Sequence, residues 1–174
     1  MGQFFICNEN EVNLKLKSFI KTETSADGWT IYYIDKNTNE KWLQTRYKSE
    51  MQGGGVSVLK RLPEPTIEDL IEIAMTSFDR NDIVGASLEL SQRERRQKED
   101  FRDKLISRLI QVDTAGLSNF EKERMKLIIY ESNLYDATNR RDIVGKHFTE
   151  IQNDADYYQK ISQKAKRILV DIEK

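Results

Sequence analysis

Cysteine, histidine, proline and long apolar runs are scarce or missing in this sequence of 174 residues. A single cysteine, Cys7, excludes a disulfide within the chain and favours a reducing compartment. No stretch approaches the roughly 18 apolar residues of a membrane helix, and the first residues lack the basic region and apolar run of a signal peptide. We therefore expect a cytoplasmic protein that has no membrane partner.

A strong charge of one sign is also missing. The chain carries 28 Lys and Arg against 29 Asp and Glu, a net charge of −1. Residues 1–62 hold nine basic and seven acidic residues (+2), and residues 63–174 hold nineteen and twenty-two (−3). Neither part has the basic excess of a dedicated nucleic-acid-binding protein, so we expect no nucleic-acid partner. The mixed charge run 93–100 is predicted to be a solvated helix end.

Both prolines, Pro63 and Pro65, mark a change in composition. We predict a small β-rich module over 1–62 and a helical module over 63–174. In the first module, the β-branched and aromatic segments 29–34 and 41–47 flank the turn residues 35–40 and predict a hairpin. A third strand is predicted over 56–62 and an edge strand at Phe4–Ile6, while residues 14–17 alternate weakly.

Helical periodicity dominates after the prolines. Residues Ile67, Leu70, Ile71, Ala74 and Phe78 predict one buried helix face, from which Glu68, Asp69, Glu72 and Thr76 point away. Further apolar stripes run along Phe101–Val112 and along the last helix from Tyr157. Ser118 with Glu121 has the pattern of a capping box. Residues 127–130 are apolar on almost every side and predict a central helix.

A short motif recurs at an offset of 60 residues. Residues 80–85 reappear as 140–145, so that Asp82 corresponds to Asp142. Asp79 and Asn139 are predicted N-caps, and Gly85 and Gly145 are predicted to allow close helix packing. The two copies would each hold three helices: 66–78, 81–97 and 99–112, then 118–135, 140–153 and 156–172. We predict an α+β fold, with a small antiparallel sheet followed by a HEAT-like α-solenoid region; a plain three-helix duplication is the alternative.

Residue types that could carry chemistry are few. His147 has no neighbouring nucleophile motif, and we expect a helix-surface or partly buried side chain. Cys7 has no CxxC partner and is predicted to be a small buried residue. Gly53–Gly55 is not followed by Lys and Ser or Thr, so it fails the phosphate-loop pattern and is predicted to be a loop or bulge. Tyr157 continues a core stripe and is predicted to be buried. No catalytic, cofactor-binding or metal-ligating set is predicted.

Acidic residues cluster where the two predicted modules join. Glu64, Glu68, Asp69 and Glu72 could serve as an acid/base pair, form an ordinary solvated helix face, or bind a basic partner. With Asp79, they are the partner-binding residues that we select from the sequence. Charge complementarity of this kind steers encounter and sets specificity.

Two stretches carry a family resemblance. Residues 28–35 through Trp42, and 65–70 through Asp79, Asp82, 85–87 and Glu94, resemble bacterial immunity proteins of polymorphic-toxin and contact-dependent growth inhibition systems. The resemblance covers about the middle half of the chain. It implies a cytoplasmic inhibitor that caps a cognate toxin domain, often a nuclease with a basic cleft, and it transfers no contact residues.

The sequence therefore predicts a binding protein that neutralises a protein toxin by stoichiometric complex formation, without enzymatic activity or cofactor. The second hypothesis is a helical-repeat scaffold or adaptor for another small cytoplasmic protein. A third class is an enzyme or a nucleic-acid-binding protein; a lack of salt-sensitive binding to DNA or RNA would count against nucleic-acid binding.

Overall fold

The computed structural model describes residues 2–48 and 55–173. The chain forms two compact units, Met1–Glu89 and Leu90–Lys174. The boundary between them falls inside one long helix, whereas the change in composition falls at Pro63. The predicted division after Leu62 stays a prediction, and the two units are described separately below.

The first unit contains a five-stranded antiparallel sheet with strand order β1-β5-β4-β3-β2. The strands are β1 (Phe5–Ile6), β2 (Phe19–Thr24), β3 (Ile31–Asp35), β4 (Lys41–Tyr47) and β5 (Val56–Arg61). The predicted hairpin is confirmed as β3 and β4, in which Tyr33 pairs with Trp42. Asn39, in the connecting turn, has a φ of 61°, a conformation that asparagine tolerates. The predicted edge strand and third strand are also confirmed.

Two elements of this unit were not predicted. The weakly alternating residues 14–17 end a helix, α1 (Glu9–Leu16), whose N-cap Asn8 accepts hydrogen bonds from the backbone of Asn10 and Glu11. Strand β2 was missed because only its first residue, Phe19, is buried and the other five are exposed. A strand exposed on both faces has no alternation of apolar and polar residues that a sequence could reveal.

The sheet of the first unit is covered on both faces. Side chains alternate along a strand, so Ile6 and Leu59 point to one face while their neighbours Phe5 and Lys60 point to the other. On the first face α1 closes a core of five buried residues: Ile6, Val12, Phe19, Trp42 and Leu59. On the second face lies α3 (Arg80–Gln97), preceded in the chain by α2 (Ile67–Thr76).

The start of α3 holds the edge strand. Asp79 caps the helix by accepting from the backbone N–H of Asn81 at 2.8 Å, as predicted. The Asp82 carboxylate binds backbone outside its own helix. Its Oδ1 accepts hydrogen bonds from the backbone N–H groups of Phe4 and Phe5 at 2.7 and 2.8 Å. A Cβ on Gly85 would lie 2.3 Å from the Phe5 side chain. The predicted close approach at Gly85 is therefore real, but the neighbour is a strand and not a helix.

The second unit is helical. It contains the end of α3, then α4 (Arg102–Ile110), α5 (Asn119–Glu131) and α6 (Phe148–Asp171). The predicted stripes are confirmed at Leu105 and Leu109 of α4 and at Ile161 and Ala165 of α6, which are all buried. The capping box of Ser118 and Glu121 is confirmed. Of residues 127–130, which were predicted to form a central helix, Ile128 and Ile129 are fully buried, whereas Tyr130 is 49 % exposed. The more deeply buried helix is α3, where residues 85–91 are all buried.

The recurring motif adopts two different structures. Asn139 accepts from the backbone of Arg141 as Asp79 does from Asn81, but residues 140–147 form no helix. Gly145 has a φ of 81°, and α6 begins only at Phe148. Ile83 of the first copy is fully buried, whereas Val144 of the second is 92 % exposed. The predicted helices 140–153 and 156–172 are therefore wrong in their bounds: residues 140–147 are not helical, and residues 148–171 form one continuous helix, α6.

The predicted solvated helix end over 93–100 is only half correct. Residues 95–98 are exposed, but Arg93 and Glu94 are buried. The Glu94 carboxylate accepts hydrogen bonds from Nε and Nη2 of the fully buried Arg102, at 2.6 and 2.9 Å. The remaining Arg102 nitrogen, Nη1, donates to the carbonyl oxygens of Asn133 and Asp136, beyond the end of α5. One bidentate ion pair thus joins α3, α4 and the segment after α5.

We expect Gly85→Ala to lower the free energy of unfolding by about 1–3 kcal/mol, because its methyl group collides with Phe5. Urea denaturation of the full chain measures the loss. In the double variant with Phe5→Leu, the smaller side chain should relieve part of the collision, so the two costs should not add. A Gly85→Ala protein as stable as the wild type would contradict the packing described.

We expect Glu94→Leu to destabilise the protein by about 3–5 kcal/mol, because it leaves the buried Arg102 guanidinium without its counter-ion. The matched control is Lys126→Ala, which breaks an exposed ion pair with Glu173 and should cost less than about 1 kcal/mol. Thermal and urea unfolding compare the two. Equal, small losses for both variants would show that the buried pair contributes no more than a surface pair.

Candidate functional site

Helix α2 presents the predicted acidic residues to solvent. Leu70, Ile71, Ile73 and Ala74 are buried on one side of the helix, and Glu68, Asp69 and Glu72 are exposed on the other. This confirms the predicted division of the helix faces. Phe78 is the exception: it was placed on the buried face, but the helix ends before it, at Ser77, and its side chain is 83 % exposed.

A cleft of about 290 Å³ opens beside the N-terminus of α2. Its apolar surface comes from the β1 side, from the turn after β5 and from α2, and acidic side chains stand among these groups. The described lining residues are Phe4, Arg61, Leu62, Pro63, Glu64, Pro65, Asp69, Glu72 and Ile73. The cleft is therefore an apolar recess with carboxylates in its wall.

Three of the five residues selected from the sequence line this cleft: Glu64, Asp69 and Glu72. Glu68 lies exposed on α2 but is not part of the lining. Asp79 caps α3 and accepts a hydrogen bond from the side-chain amide of Gln3 at 3.0 Å. The structure thus brings together the acidic residues of the turn and of α2, and assigns Asp79 a role in the fold.

Six of the nine described lining residues come from a segment that is rich in carboxylates, residues 63–79. Residues 63–79 contain five acidic residues and no lysine or arginine. Arg61 binds Glu40 at 3.1 Å, and Lys60 binds Glu64 at 2.8 Å and Glu89 at 2.9 Å. Among the nine described lining residues, the three carboxylates of Glu64, Asp69 and Glu72 stand against the one cation of Arg61, a formal charge of −2.

Asp69 is held in place by a capping box. Its Oδ2 accepts from the hydroxyl and the backbone N–H of Thr66 at 2.7 and 3.0 Å, and its own N–H donates back to Thr66 Oγ1. The hydroxyl bond first, and then the backbone bond, lower the pKa of Asp69 below its ordinary value of 3.8. This carboxylate is therefore a fixed negative charge at neutral pH.

A buried ionic cluster that the sequence did not reveal lies behind Glu64. Lys60 and Glu89 are each only 5 % exposed at their side chains, and the Tyr47 hydroxyl donates to the other oxygen of Glu89. Burial and the Glu89 carboxylate raise the pKa of Tyr47 well above its ordinary value. The register of the strands could have indicated this cluster. Lys60 pairs with Phe5 on β1 and with Leu43 on β4, so this cation lies between apolar cross-strand neighbours.

The remaining candidates do not converge on the cleft. His147 is exposed at the start of α6, where its backbone N–H donates to Glu150. Cys7 is half-buried, not fully buried as predicted. Tyr157 is also only half-buried, and its hydroxyl donates to Asp100 at 2.9 Å, while its neighbour Tyr158 is the buried member of the pair. Of the glycine run, Gly53 and Gly54 lie outside the described residues.

We expect NMR titration of the Asp69 carboxyl carbon to give a pKa below 3.8, and Thr66→Val to move it back towards 3.8. Because the folded-state pKa is the lower one, Asp69 stabilises the fold above its ordinary pKa, and this contribution is lost as the pH falls through the lowered value. Ser118→Ala is the control: it should move the pKa of Glu121 in the second capping box and leave that of Asp69 unchanged. An Asp69 pKa at or above 3.8 in the wild type would contradict the capping geometry.

Comparisons with protein-family models, curated proteins and solved structures find no match to this chain. Within the described residues, no group of three or more His, Cys, Asp or Glu side chains is arranged to hold a metal ion. Across the same residues, no helix has both the length and the apolar character needed to cross a membrane. The function is therefore inferred from the geometry of the acidic cleft.

Proposed function

We propose that this protein is a cytoplasmic binding protein that neutralises a cognate protein toxin by forming a stoichiometric complex, in the manner of an immunity protein of a polymorphic-toxin or contact-dependent growth inhibition system. The observation that carries the proposal is the apolar cleft with Glu64, Asp69 and Glu72 in its wall. A surface of this composition suits a basic protein partner, and the resemblance described above supplies the toxin as the partner class.

The acidic surface has the properties of a docking site for a basic protein. Asp69 and Glu72 belong to a helix whose opposite side is buried, so they are presented by a rigid element, and Glu64 lies in the turn before that helix. Summed negative potential raises the rate at which a basic protein meets such a surface, and like-charged proteins are rejected. The apolar part of the cleft supplies area that a partner can desolvate, which is where binding energy concentrates in protein interfaces.

Inhibition by binding, not catalysis, is proposed because of what lines the cleft. The nine described lining residues include carboxylates, one arginine and apolar side chains, but no histidine, cysteine, serine or lysine. A toxin with a basic active-site cleft would be inhibited by occlusion alone. The inhibitor then needs affinity and charge complementarity, and no chemistry of its own.

Two finer predictions belong with this proposal. The HEAT-like α-solenoid remains a prediction from the 60-residue offset, and toxin binding through the first unit does not require it. The scaffold or adaptor hypothesis uses the same cleft with a different basic protein. Gene neighbourhood separates them, because an immunity gene is expected directly downstream of a large toxin gene.

We expect the tagged full-length protein to recover the C-terminal domain of a large secreted protein, at equal stoichiometry, from the organism that encodes it. The triple variant Glu64→Gln, Glu68→Gln and Glu72→Gln should bind that domain at least about tenfold more weakly, a loss of ~1.4 kcal/mol, and with a shallower salt dependence. Asp69 is left unchanged because its side chain completes the capping box with Thr66, the N-cap of α2.

The control variant removes three exposed carboxylates from the second unit: Glu123→Gln, Asp156→Asn and Asp171→Asn. It has the same change in net charge and should keep wild-type affinity. Recovery of unrelated cytoplasmic proteins would favour the adaptor hypothesis. Equal affinity of the toxin domain for the wild type and the triple variant would reject the acidic surface as the docking site.

A further inference from the structure

We propose that residues 140–147 are a conformational switch, which an ionic latch holds as a loop and which joins α6 as further helical turns when the latch opens. The latch consists of Arg141 and Lys146 in the segment and of Asp100 and Asp154 outside it. All four residues belong to the second unit. The switch therefore does not depend on what the cleft of the first unit binds.

The segment starts in the same way as a helix. Asn139 Oδ1 accepts from the backbone N–H of Arg141 at 2.8 Å, which is the interaction and the distance with which Asp79 caps α3. Residues 140–145 share five of six residues with residues 80–85, and the latter are helical. The local sequence is therefore compatible with a helix, and a helix that started here would run directly into α6.

Gly145 fits both conformations. In the loop its φ is 81°, which glycine adopts without steric cost, whereas the corresponding Gly85 lies inside α3. A residue with a Cβ would favour the helix at this position, because a positive φ is strained for such residues. The glycine thus leaves the choice of conformation to the contacts that surround the segment.

Burial of apolar side chains does not hold the loop. None of residues 140–147 is buried. Its two largest apolar side chains, Ile143 and Val144, are exposed, as is Phe148 at the start of α6. A segment with few buried apolar contacts is stabilised mainly by its polar interactions, so these interactions decide its conformation.

The ionic latch closes only on the loop. Asp154 Oδ1 accepts from Arg141 Nη1 at 2.7 Å, and Asp154 Oδ2 accepts from Lys146 Nζ at 2.6 Å. Arg141 and Asp154 are 13 residues apart, which would be about 20 Å along the axis of a continuous helix. An arginine side chain does not span that distance, so a helix over residues 140–147 breaks this ion pair.

Asp100 holds Arg141 from a second side. Its carboxylate accepts from Arg141 Nη2 at 2.8 Å and from the Tyr157 hydroxyl at 2.9 Å, and the Arg141 guanidinium lies over the Tyr157 ring, 4.5 Å from its centroid. The hydrogen bond from Lys146 first, and then that from Arg141, lower the pKa of Asp154 below its ordinary value of 3.8. Asp154 is therefore ionised at neutral pH, where the latch is closed.

Two conformations of one segment allow regulation by binding. The loop and the helix present Ile143 and Val144 in different directions, because the backbone that carries them differs. A molecule that binds one conformation better than the other shifts the balance by its difference in affinity.

The test follows the ¹³Cα chemical shifts of residues 140–147 by NMR in the full-length ¹³C,¹⁵N-labelled protein at neutral pH. Asp154→Asn removes the charge that Arg141 and Lys146 share, and Gly145→Ala penalises the loop without touching the latch. Gly145→Ala alone should raise the helical population by about tenfold, and the methyl group has no atom within 4 Å to collide with. In the double variant the shifts of the segment should become predominantly helical.

Two control variants make the same kinds of change outside the switch. Asp156→Asn removes an exposed carboxylate of α6 that is not part of the latch. Gly116→Ala adds a methyl group, also without a neighbour within 4 Å, to a glycine whose φ is 88°. Both controls should leave the shifts of residues 140–147 unchanged.

Dispersed spectra establish that each variant is folded, and if the double variant is not, Gly145→Ala alone decides. Shifts that move in the helical direction support the switch. A segment that keeps the loop shifts of the wild type, or that takes the shifts of a disordered chain, would overturn the inference.

Discussion

The fold of the first unit depends on the contact between the start of α3 and the edge strand β1. Asp82 accepts two backbone N–H groups of the strand, and Gly85 leaves room for the Phe5 ring. Burial raises the pKa of Asp82, and each of the two backbone hydrogen bonds lowers it by less. The contact therefore places a carboxylate where it is poorly hydrated, while it satisfies two backbone donors of the strand. Phe4 both belongs to this contact and lines the cleft, so the docking of β1 supplies one side of the recess.

Buried carboxylates in this protein lie next to buried cations, whereas the carboxylates of residues 63–79 are clustered together in one segment. The buried carboxylates Glu89 and Glu94 each meet a buried cation, Lys60 and Arg102 respectively, and each also has a tyrosine hydroxyl nearby. Such pairs are costly to break, because the remaining charge would stay buried. The carboxylates of 63–79 are instead gathered on the surface without a cation in the same segment. That concentration of one sign is what a basic partner would meet.

The parts of the fold that could be predicted are those in which a local pattern coincides with burial. The β3–β4 hairpin, the faces of α2 and the capping box of Ser118 and Glu121 were predicted because their periodicity and capping chemistry act within a few residues; the capping box of Thr66 and Asp69 was not predicted. Strand β2 and helix α1 were missed because each buries only one residue, Phe19 and Val12 respectively. For the site, the acidic residues were predicted, but Phe4 lies 60 residues before Glu64 in the sequence and no local signal links the two.

The recurring motif shows the limit of local information most directly. Residues 80–85 and 140–145 share five of six residues and the same capping interaction, yet only the first copy enters a helix. By itself the sequence determined the α+β composition, the hairpin, the caps and the acidic character of α2, since these follow from neighbours along the chain. Only the tertiary structure decided which copy of the motif is buried, which carboxylates share a cleft and which lysine is held inside. Those outcomes depend on groups far apart in sequence, whose burial determines whether a backbone N–H or a charge must find a partner.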